Sequence, residues 1–244
     1  MSKRERVDLQ LVNRGLVASR QRAQALILAG KVFSGDTRID KSGQRLPNDA
    51  PLDVREGLPY VGRGGLKLEA GLDQFGVDPA GKKCLDVGAS TGGFTDCLLQ
   101  RGAAAVWSVD VGYGQLDWKL RNDPRVVVLE RTNFRTVTEE TLPQDFDLAV
   151  VDVSFISLRL ILPNLKRFMR EGSRVVALVK PQFKVGRDKV GKGGVVRDEK
   201  VRRSALEMFE EFASKEGFEV SSTMDCPISG ADGNVEFLAH LLRE

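Results

Sequence analysis

The 244-residue sequence predicts an α/β protein: a doubly wound sheet, mostly parallel with an antiparallel edge strand, preceded by a small α+β domain. Three observations predict it. From residue 82 onward, short apolar runs alternate with helical patterns, as in a parallel sheet covered on both faces. A glycine-rich turn, Asp86-Val-Gly-Ala-Ser-Thr-Gly-Gly-Phe-Thr, follows the first of those runs and opens a helix. The charge is also unevenly placed: residues 1–60 hold 11 basic and 7 acidic groups, whereas residues 61–244 hold 26 and 27. A small basic module on a near-neutral body suggests a polyanion-facing tip.

The elements follow in order. Leu9, Leu11, Val12 and Leu16 mark a short amphipathic helix ending near Gly15. Ser19 reads as the N-cap of a second helix that carries Ala23, Leu26 and Ile27 and ends at Gly30. Lys31-Val-Phe and Leu52-Asp-Val read as short strands of a small hairpin. Tyr60-Val-Gly-Arg-Gly-Gly suggests a linker, so the expected division is 1–60, a linker over 61–65, and 66–244. A helix begins at Leu66. Strands are then expected at 83–87, 105–111, 125–129, 146–153 and 174–180, with helices at 93–101, 158–169 and 200–215. Two last strands, 218–223 and 234–241, are expected to form an antiparallel edge pair.

Composition excludes several classes. The longest apolar runs, such as Val126 to Leu129 and Val175 to Val179, are far below the ~20 residues of a membrane helix. The opening residues, Met-Ser-Lys-Arg-Glu-Arg-Val-Asp, predict no signal peptide. Cys84, Cys97 and Cys226 form neither a disulfide framework nor a zinc spacing, which predicts a cytoplasmic protein. With His240 the one histidine, no metal site is expected. Cys97 and Cys226, His240, Trp107 and Trp118 read as packing or surface residues, and Met208 and Phe209 as a core face.

The glycine turn is neither a dinucleotide fingerprint nor a P-loop, because the spacing is wrong and no Gly-Lys-Ser/Thr follows. Asp86 precedes the glycines and Asp110 ends the next strand, so both carboxylates are expected at the ligand-binding edge of the sheet. An acid before the turn suits a cationic amino-acid end, and Asp110 can accept from ribose hydroxyls. S-adenosylmethionine has both features and no phosphates. Its expected contacts are Asp86, Gly88, Ala89, Ser90, Thr91, Gly92, Gly93, Phe94, Asp110 and Asp152. The alternative is a tight turn that binds nothing.

Four further charges stand at informative places. Lys67 opens the helix before the sheet, Asp152 and Lys180 interrupt apolar strands at their C-terminal ends, and Glu236 lies in the final strand. A charge at such a position is costly unless paired. Lys180 pairing with Asp152 and Glu236 satisfies it, and Lys67 supplies an opposing cation. The chemistry this permits is proton abstraction from a poor acid such as a ribose 2′-hydroxyl. Unrelated salt bridges are a reasonable account of Lys67 and Glu236 taken singly, and a weaker one of Asp152 and Lys180. The fourth strand runs into Asp152-Val-Ser-Phe, not Asn-Pro-Pro-Tyr, which argues against methylation of base amines.

Two sets of motifs then carry a resemblance. The N-terminal set is Arg6-Val-Asp, Arg14-Gly-Leu, Ser19-Arg-x-x-Ala and Gly30-Lys-Val. The second set is Gly64-Gly-x-Lys67-Leu, the glycine turn, Val151-Asp-Val-Ser-Phe-Ile-Ser, Lys180-Pro-Gln-Phe and Gly233-Asn-x-Glu236. With these the chain resembles, over essentially its full length, the TlyA or haemolysin A family of ribosomal RNA 2′-O-methyltransferases. The resemblance implies an S-four-type RNA-binding domain followed by an FtsJ-like, Rossmann-like methyltransferase domain that uses S-adenosylmethionine. It implies a catalytic tetrad of Lys67, Asp152, Lys180 and Glu236, with Lys180 acting on the 2′-hydroxyl of a cytidine in ribosomal RNA of one or both subunits. It implies phosphate contacts from Arg4, Arg6, Arg20 and Lys41, to which charge and position add Arg22 and Lys31. One departure is Lys184, where the family often has Glu.

Residues 180–203 hold 9 basic and 3 acidic groups. They read either as a solvated loop or as a segment that orders over RNA. Two other functional readings remain at this point: a membrane-active haemolysin, and an RNA- or ribosome-binding protein without catalysis.

Overall fold

The computed structural model describes residues 4–54, 57–154, 156–183, 195–230 and 233–244. The chain divides into two compact units, Met1–Pro59 and Tyr60–Glu244.

In the first unit, β1 (Arg4–Arg6) runs into α1 (Val7–Asn13), followed by α2 (Arg20–Leu28). Four short strands follow: β2 (Val32–Ser34), β3 (Thr37–Arg38), β4 (Arg45–Pro47) and β5 (Asp53–Val54). They form two antiparallel sheets, β1–β4 and β3–β2–β5, so the expected hairpin is one part of a larger arrangement. Ser19 caps α2, its Oγ accepting from the Arg22 N–H at 3.2 Å. Val7, Leu11, Ala23, Leu26, Ile27, Val32 and Ile39 make the core. Leu16 is not part of the helix face: it follows Gly15, whose φ is +70°, and is exposed.

The second unit opens with α3 (Gly64–Phe75), so Gly64 and Gly65 belong to a helix and not to a linker. Gly65 is required there because any Cβ would overlap the Tyr60 ring. The chain continues through β6 (Lys83–Val87), α4 (Gly93–Gln100), β7 (Ala105–Val109), α5 (Trp118–Arg121), β8 (Val126–Leu129) and β9 (Phe146–Val151). A 3-10 turn at Leu158–Leu160 precedes α6 (Leu162–Phe168), where a single longer helix was expected. Then come β10 (Met169–Val179), α7 (Glu199–Lys215), β11 (Phe218–Asp225) and β12 (Phe237–Arg243). The one-turn α5, capped by Asp117, is too short to show a helical period.

The seven strands are ordered β11-β12-β10-β9-β6-β7-β8. β12 is the antiparallel strand, and it pairs with both β10 and β11. The expected antiparallel edge pair is therefore formed, with β11 outermost and β12 one place in. The crossover through α7 sets β11 one strand-width away from β10, and β12 fills the gap. Successive residues of the central strands face opposite cores. Leu148, Val150, Val176 and Leu178 pack with α3 and α4, while Ala149, Val151, Val175 and Ala177 pack with α6 and α7. Burial on both faces explains why these strands read as unbroken apolar runs. On α7, Leu206 and Phe209 are buried but Met208 is exposed. Among the described residues, no helix is long and apolar enough to cross a membrane.

β6 is the switch point of the sheet, since the chain moves to β7 and β8 on one side and then crosses to β9 and β10 on the other. In such sheets ligands bind at the C-terminal strand ends beside the switch. The loop after β6, Asp110 after β7, Asp152 after β9 and Lys180 after β10 all stand there.

Candidate active site

A cavity of about 380 Å³ opens at this edge, lined among others by Gly88, Ser90, Asp110, Gln115, Asn133 and Asp152. A smaller one of about 200 Å³ adjoins it, lined by Gly64, Ala89, Thr91, Gly93 and Phe94. Gly88, Ser90, Asp152 and Ser154 line both. The glycine turn is tight for a physical reason. Gly88 has φ +90°, and a Cβ on it would overlap the carbonyl oxygen of Asp152. Gly92, with φ +97°, caps α4 and lies against Leu120 and Leu116; it lines neither cavity.

Asp110 fastens the turn. Its Oδ2 accepts from the Ser90 N–H at 2.8 Å and its Oδ1 from the Gly112 N–H at 2.7 Å. Each oxygen keeps a second lone pair, and the residue lines the larger cavity. Apolar walls from Val109, Val111, Phe134, Ile156 and Ile161 complete that cavity. Carboxylate, backbone cradle and apolar walls fit the ribose, amino-acid and purine parts of S-adenosylmethionine.

Asp86 is placed differently from its expected position. It lies inside β6, opposite Ser108 and Val150, and is fully buried. Thr95 Oγ1 donates to its Oδ2 at 2.6 Å and also lies 2.8 Å from Ser108 Oγ. The residue lines neither cavity, because α4 covers it through Thr95. Burial pushes its carboxyl up to about 7, partly offset by the Thr95 hydrogen bond.

The four tetrad candidates form two ion pairs. Lys67 Nζ meets Glu236 Oε2 at 2.6 Å, and Lys180 Nζ meets Asp152 Oδ1 at 2.5 Å. Lys67, Lys180 and Glu236 are all buried. The Cys226 thiol is pushed up by burial, with smaller effects of opposite sign from Lys67 and from Glu236 and Asp152. Glu236 stands just before β12, not within it. Lys180 also donates to Ser154 Oγ at 2.8 Å, a partner that the sequence pattern did not single out. Gln115, Thr132 and Asn133 were likewise missed as cavity lining, since they lie in loops with no motif of their own. Cys84 and Cys97 are buried, with thiols pushed up to about 12 and about 11, so neither is poised as a nucleophile. His240 is buried and stacks on Phe75 at 5.5 Å.

In the first unit, Asp8 is the hub. Arg6 donates to both of its oxygens, and Arg20 and Gln24 donate to Oδ2. The Arg6 guanidinium holds the Asp8 carboxyl well below the usual carboxylate range. Arg6 and Arg20 remain 36% and 52% exposed, so each can still present N–H groups outward. Arg4 donates to the Arg45 carbonyl at 3.0 Å, Arg22 and Lys41 are exposed, and Lys31 is half-buried beside Gly57. Part of the basic 180–203 segment, residues 184–194 including Lys184, lies outside the described residues. Among the described residues, no group of three His, Cys, Asp or Glu side chains could hold a metal ion.

Residues 60–243 match the model of the FtsJ-like methyltransferase family. The chain is 46% identical to the 16S/23S rRNA (cytidine-2′-O)-methyltransferase TlyA of Mycobacterium tuberculosis H37Rv, over 99% of this chain and 91% of that one. A solved structure of a candidate hemolysin from Streptococcus thermophilus superposes with a TM-score of 0.75 at 44% identity, covering 100% of this chain and 90% of that one. An S-adenosylmethionine-dependent methyltransferase from Mesorhizobium loti shares the fold, with a TM-score of 0.53 at 15% identity over 75% of this chain and all (100%) of that one.

Proposed function

We propose that this chain, which belongs to the FtsJ-like methyltransferase family, transfers a methyl group from S-adenosylmethionine to the 2′-hydroxyl of a cytidine in ribosomal RNA. The observation that carries the reading is the Lys180–Asp152 ion pair, in which a buried lysine is joined to a carboxylate lining both cavities.

The donor supplies an electrophilic methyl group on a positively charged sulfur. The Gly88–Gly93 turn and Asp110 hold and orient it. A ribose hydroxyl is almost fully protonated at neutral pH and attacks only if its proton is taken or its developing charge is stabilised. Lys180 does this, with Asp152 fixing its position. Lys67 and Glu236 neutralise each other beside that pair and set the field around it. The first unit serves as an S-four-type RNA-binding domain. Arg4, Arg6, Arg20, Arg22, Lys31 and Lys41 contact phosphates and position the enzyme without reading sequence. With ribosomal RNA or subunits as substrate, the protein works in the cytoplasm.

The test is alkaline hydrolysis of ribosomal RNA labelled from radioactive S-adenosylmethionine. A 2′-O-methyl group blocks cleavage at its own phosphodiester, so the label is expected in alkali-resistant dinucleotides that begin with cytidine. Label released in mononucleotides would mean base methylation. A dinucleotide beginning with another base would overturn the cytidine assignment alone.

A further inference from the structure

We infer that Ser154 is a positioning residue for Lys180, fixing the direction in which that lysine meets the substrate hydroxyl. The inference rests on the function proposed above. A lysine nitrogen has three tetrahedral positions besides its bond to Cε. In this structure Ser154 Oγ takes one as a hydrogen bond at 2.8 Å, and Asp152 Oδ1 lies against the nitrogen at 2.5 Å as an ion-pair partner without hydrogen-bond geometry. With the carboxylate on one side and Ser154 on another, the side left open is where the Nζ lone pair meets an incoming hydroxyl.

One ion pair alone leaves an amine free to slide along a carboxylate, because charge attraction is weakly directional. A second partner in another direction pins the nitrogen. Ser154 is suited to this. It follows Asp152 by two residues at the end of β9, and it lines both cavities. The residue is exposed at the cavity edge, yet its hydroxyl makes its hydrogen bond to Lys180. In the reaction, the O–C bond forms as the S–C bond breaks, the sulfonium leaves as a neutral thioether, and the 2′ proton passes to the lone pair of uncharged Nζ. Ser154 accepts a hydrogen bond throughout and neither gains nor loses a proton.

The experiment compares wild type, Ser154→Ala and Ser154→Thr in single-turnover methyl transfer to ribosomal subunits, with donor affinity measured separately by equilibrium dialysis. Ser154→Ala is expected to lower the transfer rate by about ten- to a hundredfold, as a misaligned reacting group does. Donor affinity and the KM for subunits should stay at wild-type values. Ser154→Thr, which keeps the hydroxyl, should return the rate to within about threefold of wild type. A wild-type rate in Ser154→Ala overturns the inference. So does a loss of rate matched by a loss of donor affinity, or a threonine variant as slow as the alanine one. A wild-type enzyme that methylates no ribosomal RNA contradicts the proposed function and takes this inference with it.

Discussion

Glu236 rests its carboxylate against the backbone of Gly230, so closely that a Cβ on Gly230 would overlap it. The contact is built by the turn between β11 and β12. There the Gly230 N–H donates to the Asn234 carbonyl and the Cys226 N–H to the Glu236 carbonyl, each at 2.8 Å. From this seat Glu236 reaches Lys67. Gly230→Ala should therefore displace Glu236 while leaving the donor cavities intact. A fall in transfer rate approaching a hundredfold is expected, with donor affinity unchanged. Steady-state kinetics alongside dialysis check both halves; an unaltered rate contradicts the placement of Glu236.

Gly88 is a second position that tolerates no side chain. Its positive φ and the Asp152 carbonyl both exclude a Cβ. Gly88→Ala should weaken S-adenosylmethionine binding at least tenfold, because the turn must open where the donor lies. Calorimetric titration of the variant measures this directly, and wild-type affinity would show that the donor does not use the turn.

Asp86 makes stability depend on pH. Its folded carboxyl titrates at about 7, above its ordinary 3.8. A group raised on folding favours the folded state most fully below its unfolded value, and that contribution is lost as pH rises through the folded value. Stability attributable to Asp86 should thus decline between about pH 4 and pH 7. Asp86→Asn can still accept from Thr95 and should flatten the profile. Denaturant unfolding of both proteins from pH 5 to pH 8 tests this, and parallel curves contradict it.

Arg6 and Arg20 are held by Asp8 and still face outward. Arg20→Ala should weaken ribosomal RNA binding and lower the salt slope of log K by about one, as expected for one lost phosphate contact. Affinities measured over a salt series decide it; an unchanged slope removes Arg20 from the RNA-facing set. Asp8 carries its own pH signature. Its lowered carboxyl stabilises the first unit above the unfolded value, and that stability fades as the medium is acidified.

Much of this was legible in the residues. Doubly buried strands betray themselves as apolar runs, and the charges that end them, Asp152 and Lys180, stand out because burial makes them costly. Ser19 announced its helix through its capping chemistry. What stayed hidden depends on tertiary placement. Asp86 looks like an edge carboxylate, but α4 lays Thr95 across it. The antiparallel edge pair is legible in its two strands and the turn between them, but which of the two lies outermost is set by the crossover. Leu16 and Met208 are apolar without being core, since helix length and phase decide which face is buried. Ser154 carries no charge to draw notice, and only the folded chain brings Lys180 to it.

The central claim is that Lys180 activates a ribose hydroxyl of ribosomal RNA. Its most direct test is single-turnover methyl transfer from S-adenosylmethionine to purified ribosomal subunits by wild type and Lys180→Ala, with donor binding measured on both. The account predicts transfer by the wild type, donor binding by both, and a rate at least a hundredfold lower in the variant, the range expected for loss of a general base. Undiminished transfer by Lys180→Ala would contradict it.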